Sequence, residues 1–199
     1  MQPLFTHNRL YLGVWLASLL LWRVLEASVD IRTFKRLRAG IQRQDKGSHV
    51  VLLGLVVIGV LLGLLLGFKV QVFAITSGNV FLFWLGLLLI YAGMALRISV
   101  IAVLGAFFTT TVAIAPGQPV IETGPYRLIR HPSYTGFLIT LLGLGLSLTN
   151  WLSPLVIMGC ALLGVSYRIH VEEHVLQAQL GQRYQEYMRR TKRLIPFVL

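Results

Sequence analysis

The apolar residues of this chain form long blocks with short polar segments between them. A helix needs roughly 20 apolar residues to cross a bilayer core of about 30 Å. Five blocks approach that length, at about 9–27, 49–68, 80–104, 132–149 and 151–170. Strand-like alternation of apolar and polar residues is absent, and only Asn150 separates the last two blocks. The pattern therefore predicts helices throughout, with the last two forming a tight hairpin.

We therefore expect an all-α, polytopic membrane protein with about five transmembrane helices. Residues 1–104 would contain the first three helices and a basic cytoplasmic loop at 28–48. Residues 105–199 would contain a polar loop at 105–131, the hairpin and a tail at 171–199 that includes a C-terminal helix. The composition agrees, because 56% of the 199 residues are hydrophobic, only 13% are charged and the mean hydropathy is +0.74.

The basic residues predict how the chain is oriented. Lys and Arg number 18 against 7 Asp and Glu, which gives a formal net charge of +11. They concentrate in 28–48, in 105–131 and after residue 170, whereas Lys69 stands alone in its loop. The positive-inside rule then places the N-terminus outside and the C-terminus in the cytoplasm. We expect the membrane to be that of a bacterial or archaeal cell. The charge indicates attraction of the basic loop to anionic lipids, and not binding of nucleic acid.

The basic loop at 28–48 has two possible structures. Ile31, Phe34, Leu37 and Ile41 recur at near-helical spacing among basic residues, which suits a helix lying in the membrane interface. A solvated, charged loop fits the same residues equally well.

Polar residues that a membrane span does not need concentrate before the fourth block and after the fifth. Pro132 suits the first turn of a helix, so we expect His131 at the N-cap. The free N–H groups of that helix start, at Ser133 and Tyr134, favour a bound anion. Taken alone, a His-Pro pair at a helix start is equally typical of an ordinary structural cap.

Charged residues at the end of the fifth block form the second candidate site. Arg168 and Glu172 lie one helical turn apart, so they could form a surface ion pair. A functional pocket explains them better, because Arg168 starts inside the last membrane turn, where an uncompensated charge is costly. Arg97 lies about two turns inside the third block and could snorkel or join such a pocket.

A zinc site is a weak alternative for the same segment. His170, Glu173 and His174 match an inverted zinc-protease pattern. Such a site needs a third protein ligand, for which only Glu186 follows, and the chain has a single Cys. We therefore expect no metal.

The order and spacing of these polar residues resemble the isoprenylcysteine carboxyl methyltransferase family. The resemblance covers about 109–196, nearly half of the chain. The segments that carry it are Thr-Gly-Pro-Tyr at 123–126, Arg-His-Pro-Ser-Tyr-Thr-Gly at 130–136, Arg168 with Glu172 and Glu173, Gly-x-x-Tyr-x-x-Tyr at 181–187 and Arg-Leu-Ile-Pro at 193–196.

This resemblance implies an integral membrane enzyme that transfers a methyl group from S-adenosylmethionine to the carboxylate of a lipophilic, isoprenylcysteine-like acceptor entering from the membrane. S-adenosylhomocysteine would be the second product. Residues 105–199 would be the catalytic region, with a cofactor-binding loop at 105–131. Carried over to this sequence, the catalytic residues are Glu172, His131 and Arg168, and Arg168 would hold the acceptor's carboxylate.

The cofactor contacts of the family can be carried over in the same way. They fall on Gln118, Pro119, Val120, Ile121, Tyr126, His131, Pro132, Ser133, Tyr134 and Glu172. A further contact is a Gln in the eukaryotic enzyme, and ungapped counting puts Thr111 there.

Elementary chemistry agrees with these roles. The cofactor carries a sulfonium, an ammonium and a carboxylate, so Glu172 suits its cationic part and the start of the fourth helix suits its anionic part. An acceptor carboxylate is already ionised at neutral pH, so methyl transfer to it requires no general base. Arg168 can hold that carboxylate by one or both oxygens.

Three alternatives remain at the level of the sequence. A phospholipid amine N-methyltransferase would keep the fold and cofactor but require a base, for which Glu173, His170 and His174 are candidates. An NADPH-dependent reductase of the sterol-reductase type would carry a related His-Pro-x-Tyr segment, but this chain combines that segment with Arg168 and Glu172. A structural membrane protein would leave the clustering of polar residues unexplained.

Overall fold

The structure is a computed structural model that describes residues 3–38, 44–112 and 118–196. In these ranges the chain forms five α-helices joined by loops and short 3-10 turns, with two isolated β-bridges. The helices are α1 (Arg9–Arg38), α2 (Ser48–Lys69), α3 (Asn79–Leu104), α4 (Pro132–Ser147) and α5 (Leu152–Arg190). The all-α fold class is confirmed.

The helices differ in whether they can cross a membrane. By length and composition, α1, α2, α3 and α5 qualify as membrane spans. The fourth helix, α4, has 16 residues, and at 1.5 Å per residue its length of about 24 Å is less than a hydrocarbon core of about 30 Å. The described residues therefore contain four candidate spans and one shorter apolar helix.

Two helices extend further than the apolar blocks predicted. The first, α1, continues unbroken to Arg38, so residues 31–38 do not form a separate interfacial helix, and Ile41 lies outside the described residues. The fifth, α5, continues past His170 to Arg190. Hydropathy marks where a helix leaves the bilayer, whereas a helix ends where its backbone hydrogen bonds end. Good helix formers such as Glu, Gln, Leu and Ala follow the fifth block.

The extension of α5 contains one break. Gly181 has φ 59° and ψ −138°, a backbone conformation that only glycine adopts at low cost. Residues 182–190 therefore form the predicted C-terminal helix, set at an angle to the rest of α5. Beyond it, the backbone N–H of Arg130 donates to the carbonyl of Lys192 at 2.7 Å, which returns the chain to the start of α4.

Close packing against α3 and α5 buries α4. A Cβ added to Gly86 of α3 would lie 2.6 Å from the carbonyl oxygen of Gly143 in α4. A Cβ added to Gly136 of α4 would lie 2.8 Å from the carbonyl oxygen of Gly93 in α3. Small residues therefore let these backbones approach each other, as is typical of helix pairs in membranes.

The predicted hairpin between α4 and α5 is present. Its turn packs on the loop between α2 and α3, where the Asn150 side chain donates to the carbonyl of Val70 at 2.9 Å. The backbone N–H of Ile75 donates to the carbonyl of Thr149 at 2.9 Å. The start of α4 lies at the opposite end of the bundle, together with the start of α2 and the end of α3.

Candidate active site

A cavity of about 530 Å³ opens where α4 begins, and we call it the main cavity. Its volume is typical of small-molecule sites. The loop before α4, the start of α4 and the extension of α5 contribute to its wall together with α1, α2 and α3. The predicted site residues that line it are Gln118, Pro119, Val120, Ile121, Tyr126, His131, Ser133, Tyr134 and Glu172.

The start of α4 has the predicted cap, but its N–H groups are used differently. His131 is the N-cap residue, and its carbonyl accepts the backbone N–H of Tyr134 at 3.0 Å and of Thr135 at 3.2 Å. The prediction that the Tyr134 N–H is free for an anion is therefore wrong, since the first turn closes on His131. Pro132 is fully buried and is not among the residues that line the main cavity.

Glu172 presents a carboxylate to the main cavity. Its side chain is 27% exposed, and its Oε2 accepts a hydrogen bond from the Tyr134 hydroxyl at 2.7 Å. The His131 Nδ1 lies 3.9 Å from its Oε1.

Tyr126 contributes a hydroxyl group to the same cavity. Burial raises the pKa of Tyr126, and the charge of Glu172 raises it further, so this phenol stays protonated and able to donate.

Buried Glu173 holds the C-terminal segment against the start of α4. It accepts hydrogen bonds from Arg130 Nε at 2.9 Å and Arg193 Nη2 at 3.0 Å, and His131 Nε2 lies 3.3 Å from its Oε1. Burial alone would raise the pKa of Glu173, but hydrogen bonds from His131, Arg130 and Arg193 outweigh it and lower the pKa to about 2. Glu173 is therefore ionised at neutral pH and positions the His131 ring.

Arg168 contacts the Tyr134 hydroxyl and is not among the residues that line the main cavity. The residue is 1% exposed. Its Nε donates to the Tyr134 hydroxyl at 3.0 Å, its Nη1 to Ser48 Oγ at 2.7 Å and its Nη2 to the carbonyl of Thr110 at 2.9 Å. Asp45 Oδ2 lies 3.6 Å from Nη1. The guanidinium thus links four segments of the chain, and its role toward an acceptor carboxylate stays a prediction.

An ion pair from α1 and α3 reaches the main cavity and was largely missed by the sequence reasoning. Glu26 Oε1 lies 2.6 Å from Arg97 Nε, and Arg97 Nη2 donates to Glu26 Oε2 at 2.9 Å. Arg97 Nη1 also donates to Ser133 Oγ at 2.7 Å. Charged residues inside apolar helices are costly and commonly functional. That signal was available for Glu26, but its pairing with Arg97 needed the structure.

Residues 84–178 match the model of the isoprenylcysteine carboxyl methyltransferase (ICMT) family. The family resemblance is confirmed. Protein-S-isoprenylcysteine O-methyltransferase B of Arabidopsis thaliana is 35% identical over 115 residues, which are 57% of this chain and 58% of that protein. Protein-S-isoprenylcysteine O-methyltransferase of Schizosaccharomyces pombe is 33% identical over 108 residues, which are 53% of this chain and 46% of that protein.

A solved structure extends the similarity to three dimensions. It is described as the eukaryotic intramembrane Ras methyltransferase ICMT, and it matches 71% of this chain with a TM-score of 0.63 and 25% identity. The chain spans 52% of that structure and 46–58% of the two relatives. Because these relatives come from a plant and a yeast, they do not support the expected bacterial or archaeal origin.

The ICMT family implies S-adenosylmethionine, and the residues of the main cavity fit that group. The carboxylate of Glu172 suits a cationic ligand, and Tyr126 supplies a protonated hydroxyl. Thr111 Oγ1 is buried at the cavity wall and has no hydrogen-bond partner among the described residues. A buried hydroxyl without a partner is costly, which makes it a natural contact for a bound polar ligand.

The candidate bases for amine methylation lie elsewhere. His170 and His174 are exposed on α5, and Glu173 is held by Arg130, Arg193 and His131. The three candidate bases are not among the residues that line the main cavity. The relatives themselves are named for O-methylation of protein-S-isoprenylcysteine.

Proposed function

We propose that this chain is an integral membrane methyltransferase that uses S-adenosylmethionine to methylate the carboxylate of a lipophilic, isoprenylcysteine-like acceptor. The observation that carries the proposal is the main cavity, where nine site residues predicted from the ICMT family converge from three separate segments. The names of the relatives support the same activity.

The residues of the main cavity would divide the work of binding. When bound, S-adenosylmethionine supplies an electrophilic methyl group on a sulfonium. The carboxylate of Glu172 offsets the positive charge of that ligand, while Tyr126 and His131 fix its orientation. An ionised acceptor carboxylate needs no base, so the protein has to align it and exclude water.

A second cavity gives the acceptor a route from the membrane. It has a volume of about 350 Å³, lies between α1 and α3, and shares Trp22, Glu26, Arg97 and Phe108 with the main cavity. Most of its other lining residues are apolar, which suits a prenyl chain. Its position between two helices allows entry from the bilayer without passage through water.

The topology belongs to the same proposal. All five helices would cross or enter the membrane, with the N-terminus outside and the C-terminus in the cytoplasm. The start of α4 would lie in a recess at the cytoplasmic face, because α5 continues for 20 residues beyond His170. Anionic lipids would then meet the basic residues at the end of α1.

Calorimetry of the detergent-purified chain tests the proposed cofactor. We expect S-adenosylhomocysteine to bind and NADPH to give no heat of binding. Binding of NADPH alone would instead favour a reductase. A rate of methylation that stays nearly flat above about pH 6 would mark a carboxylate acceptor, since an amine acceptor loses its proton only at higher pH.

A further inference from the structure

The Glu26–Arg97 pair occupies the junction of the two cavities. Both residues line both cavities, and their side chains are only 12% and 13% exposed. The carboxylate of Glu26 contacts Arg97 through two oxygens, at 2.6 and 2.9 Å. Only the Nη2 contact is a hydrogen bond, and Arg97 Nε has no hydrogen-bond partner among the described residues. Glu26 therefore occupies the edge of the guanidinium that suits an incoming carboxylate, without using all of its donors.

We propose that the acceptor's carboxylate exchanges with Glu26 on Arg97, and that methylation reverses the exchange. The inference rests on the proposed function, because it requires an acceptor that arrives as an anion and leaves as a neutral ester. It assigns Arg97 as the residue that binds the acceptor's carboxylate, and Glu26 as the residue that competes for it.

The two arginines of the site differ in their access to the cavities. Arg97 lines both cavities, whereas Arg168 is among the lining residues of neither. Arg168 also donates to three protein acceptors that lie in different segments. Moving it toward a ligand would leave buried partners unsatisfied, which costs more than replacing one carboxylate on Arg97 with another.

Ser133 keeps Arg97 in place during such an exchange. Arg97 Nη1 donates to Ser133 Oγ at 2.7 Å and lies 3.2 Å from the Ser133 carbonyl. The Nε and Nη2 edge remains directed at Glu26 or at the incoming carboxylate. The Arg97 side chain, which extends from α3, therefore stays beside the start of α4 and the predicted cofactor contacts, whether it binds Glu26 or the acceptor's carboxylate.

The displaced Glu26 has another cation on its own helix. Arg23 lies three residues earlier on α1 and lines the main cavity. Residues three apart are neighbours on a helix surface, so Glu26 can turn from Arg97 to Arg23 by a change of side-chain rotamer. The exchange therefore replaces one ion pair with two, and it needs no movement of the backbone.

Methylation removes the negative charge with which the acceptor binds Arg97. One oxygen of the acceptor's carboxylate forms a bond to the methyl carbon, the bond between that carbon and sulfur breaks, and its electron pair stays on sulfur. No proton moves, and the acceptor becomes a neutral ester. A neutral ester binds a guanidinium more weakly than a carboxylate does, so Glu26 returns to Arg97 and favours product release.

Binding of an acid and of its ester tests the exchange without turnover. The probes are N-acetyl-S-farnesylcysteine and its methyl ester, titrated into the detergent-purified full chain without cofactor. We expect Glu26→Gln to tighten binding of the acid by about fivefold or more, because the amide competes less well for Arg97. The ester should change less, so the acid-to-ester affinity ratio rises. Glu26→Asp should shift the ratio in the same direction by a smaller factor.

Three further variants complete the test. Arg97→Gln should bring the acid-to-ester ratio close to one, while Arg168→Ala should keep the acid preference. Glu186→Gln, the same charge removal on an exposed part of α5, should leave the ratio unchanged. An unchanged ratio in Glu26→Gln overturns the exchange, and loss of acid preference in Arg168→Ala but not in Arg97→Gln overturns the role of Arg97. If the wild-type chain binds no acid, the proposed acceptor class fails together with the exchange.

Discussion

At the scale of single residues, the adjacent carboxylates Glu172 and Glu173 differ in how much of their hydrogen-bonding capacity the protein already uses. Glu172 has the Tyr134 hydroxyl at 2.7 Å and a side chain that is 27% exposed. Glu173, next in the chain, is 3% exposed and bound by cationic side chains. Adjacent carboxylates therefore have separate tasks, because consecutive residues of a helix point about 100° apart.

The partly exposed carboxylate of Glu172 leads to a prediction about cofactor binding. We expect Glu172→Gln and Tyr126→Ala to weaken binding of S-adenosylhomocysteine, because each removes a polar group from the cavity wall. The loss should be several-fold to about a hundredfold, since charged contacts in partly buried sites contribute more than exposed pairs. Calorimetry measures it, and exposed Glu186→Gln serves as the control. Unchanged affinity in both variants would remove these residues from the site.

At the scale of secondary-structure elements, the glycines between α3 and α4 determine how closely the helices pack. We expect Gly86→Leu to destabilise the fold by roughly 1–3 kcal/mol, because the added atoms overlap the backbone of α4. A lower midpoint of thermal unfolding in detergent would measure the effect. Gly54→Leu on α2 is the matched control, since a Cβ there meets nothing within 4 Å. Equal shifts in both variants would contradict the packing argument.

The extension of α5 depends on Glu173, and this dependence should be visible in the pH profile of stability. The pKa of Glu173 is lowered to about 2 in the folded chain, below the value of about 4.3 for an unfolded Glu. Its stabilisation is therefore complete above about pH 5 and is lost as the pH falls toward 2, a change of roughly 3 kcal/mol. In thermal unfolding, Glu173→Gln should lose less stability than the wild-type chain as the pH falls, whereas Glu186→Gln should lose as much. If Glu173→Gln loses as much stability at low pH as the wild-type chain, other titrating groups cause that loss.

At the scale of the whole molecule, the topology can be tested with two exposed lysines. Lys69 ends α2 at one end of the bundle, and Lys46 precedes α2 at the other. We expect a membrane-impermeant amine reagent to label Lys69 but not Lys46 in intact cells, and to label both after permeabilisation. Lys69→Arg should remove the label at position 69 in intact cells, as peptide mass spectrometry resolves it from a label on the N-terminal amine. Labelling of Lys46 in intact cells would reverse the proposed orientation.

The sequence by itself determined the features that depend on local pattern. Long apolar blocks predicted five helices, because a bilayer leaves the backbone few other ways to satisfy its hydrogen bonds. The His-Pro pair predicted the start of α4, because proline fits only the first turn of a helix. Motif spacing indicated the resemblance to the ICMT family, whose model matches residues 84–178, and it pointed to residues such as Tyr126 and Glu172, which line the main cavity.

Only the tertiary structure decided which polar groups share a cavity and which are already bound. Glu26 and Arg97 are 71 residues apart in sequence, yet Arg97 Nη2 donates to Glu26 Oε2 at 2.9 Å, a contact that no local pattern contains. Arg168 and Glu172 looked like equal members of one site, but packing buries Arg168 among Ser48, Thr110 and Tyr134. The reason is physical, because a side chain's access to ligand depends on what the other helices place around it.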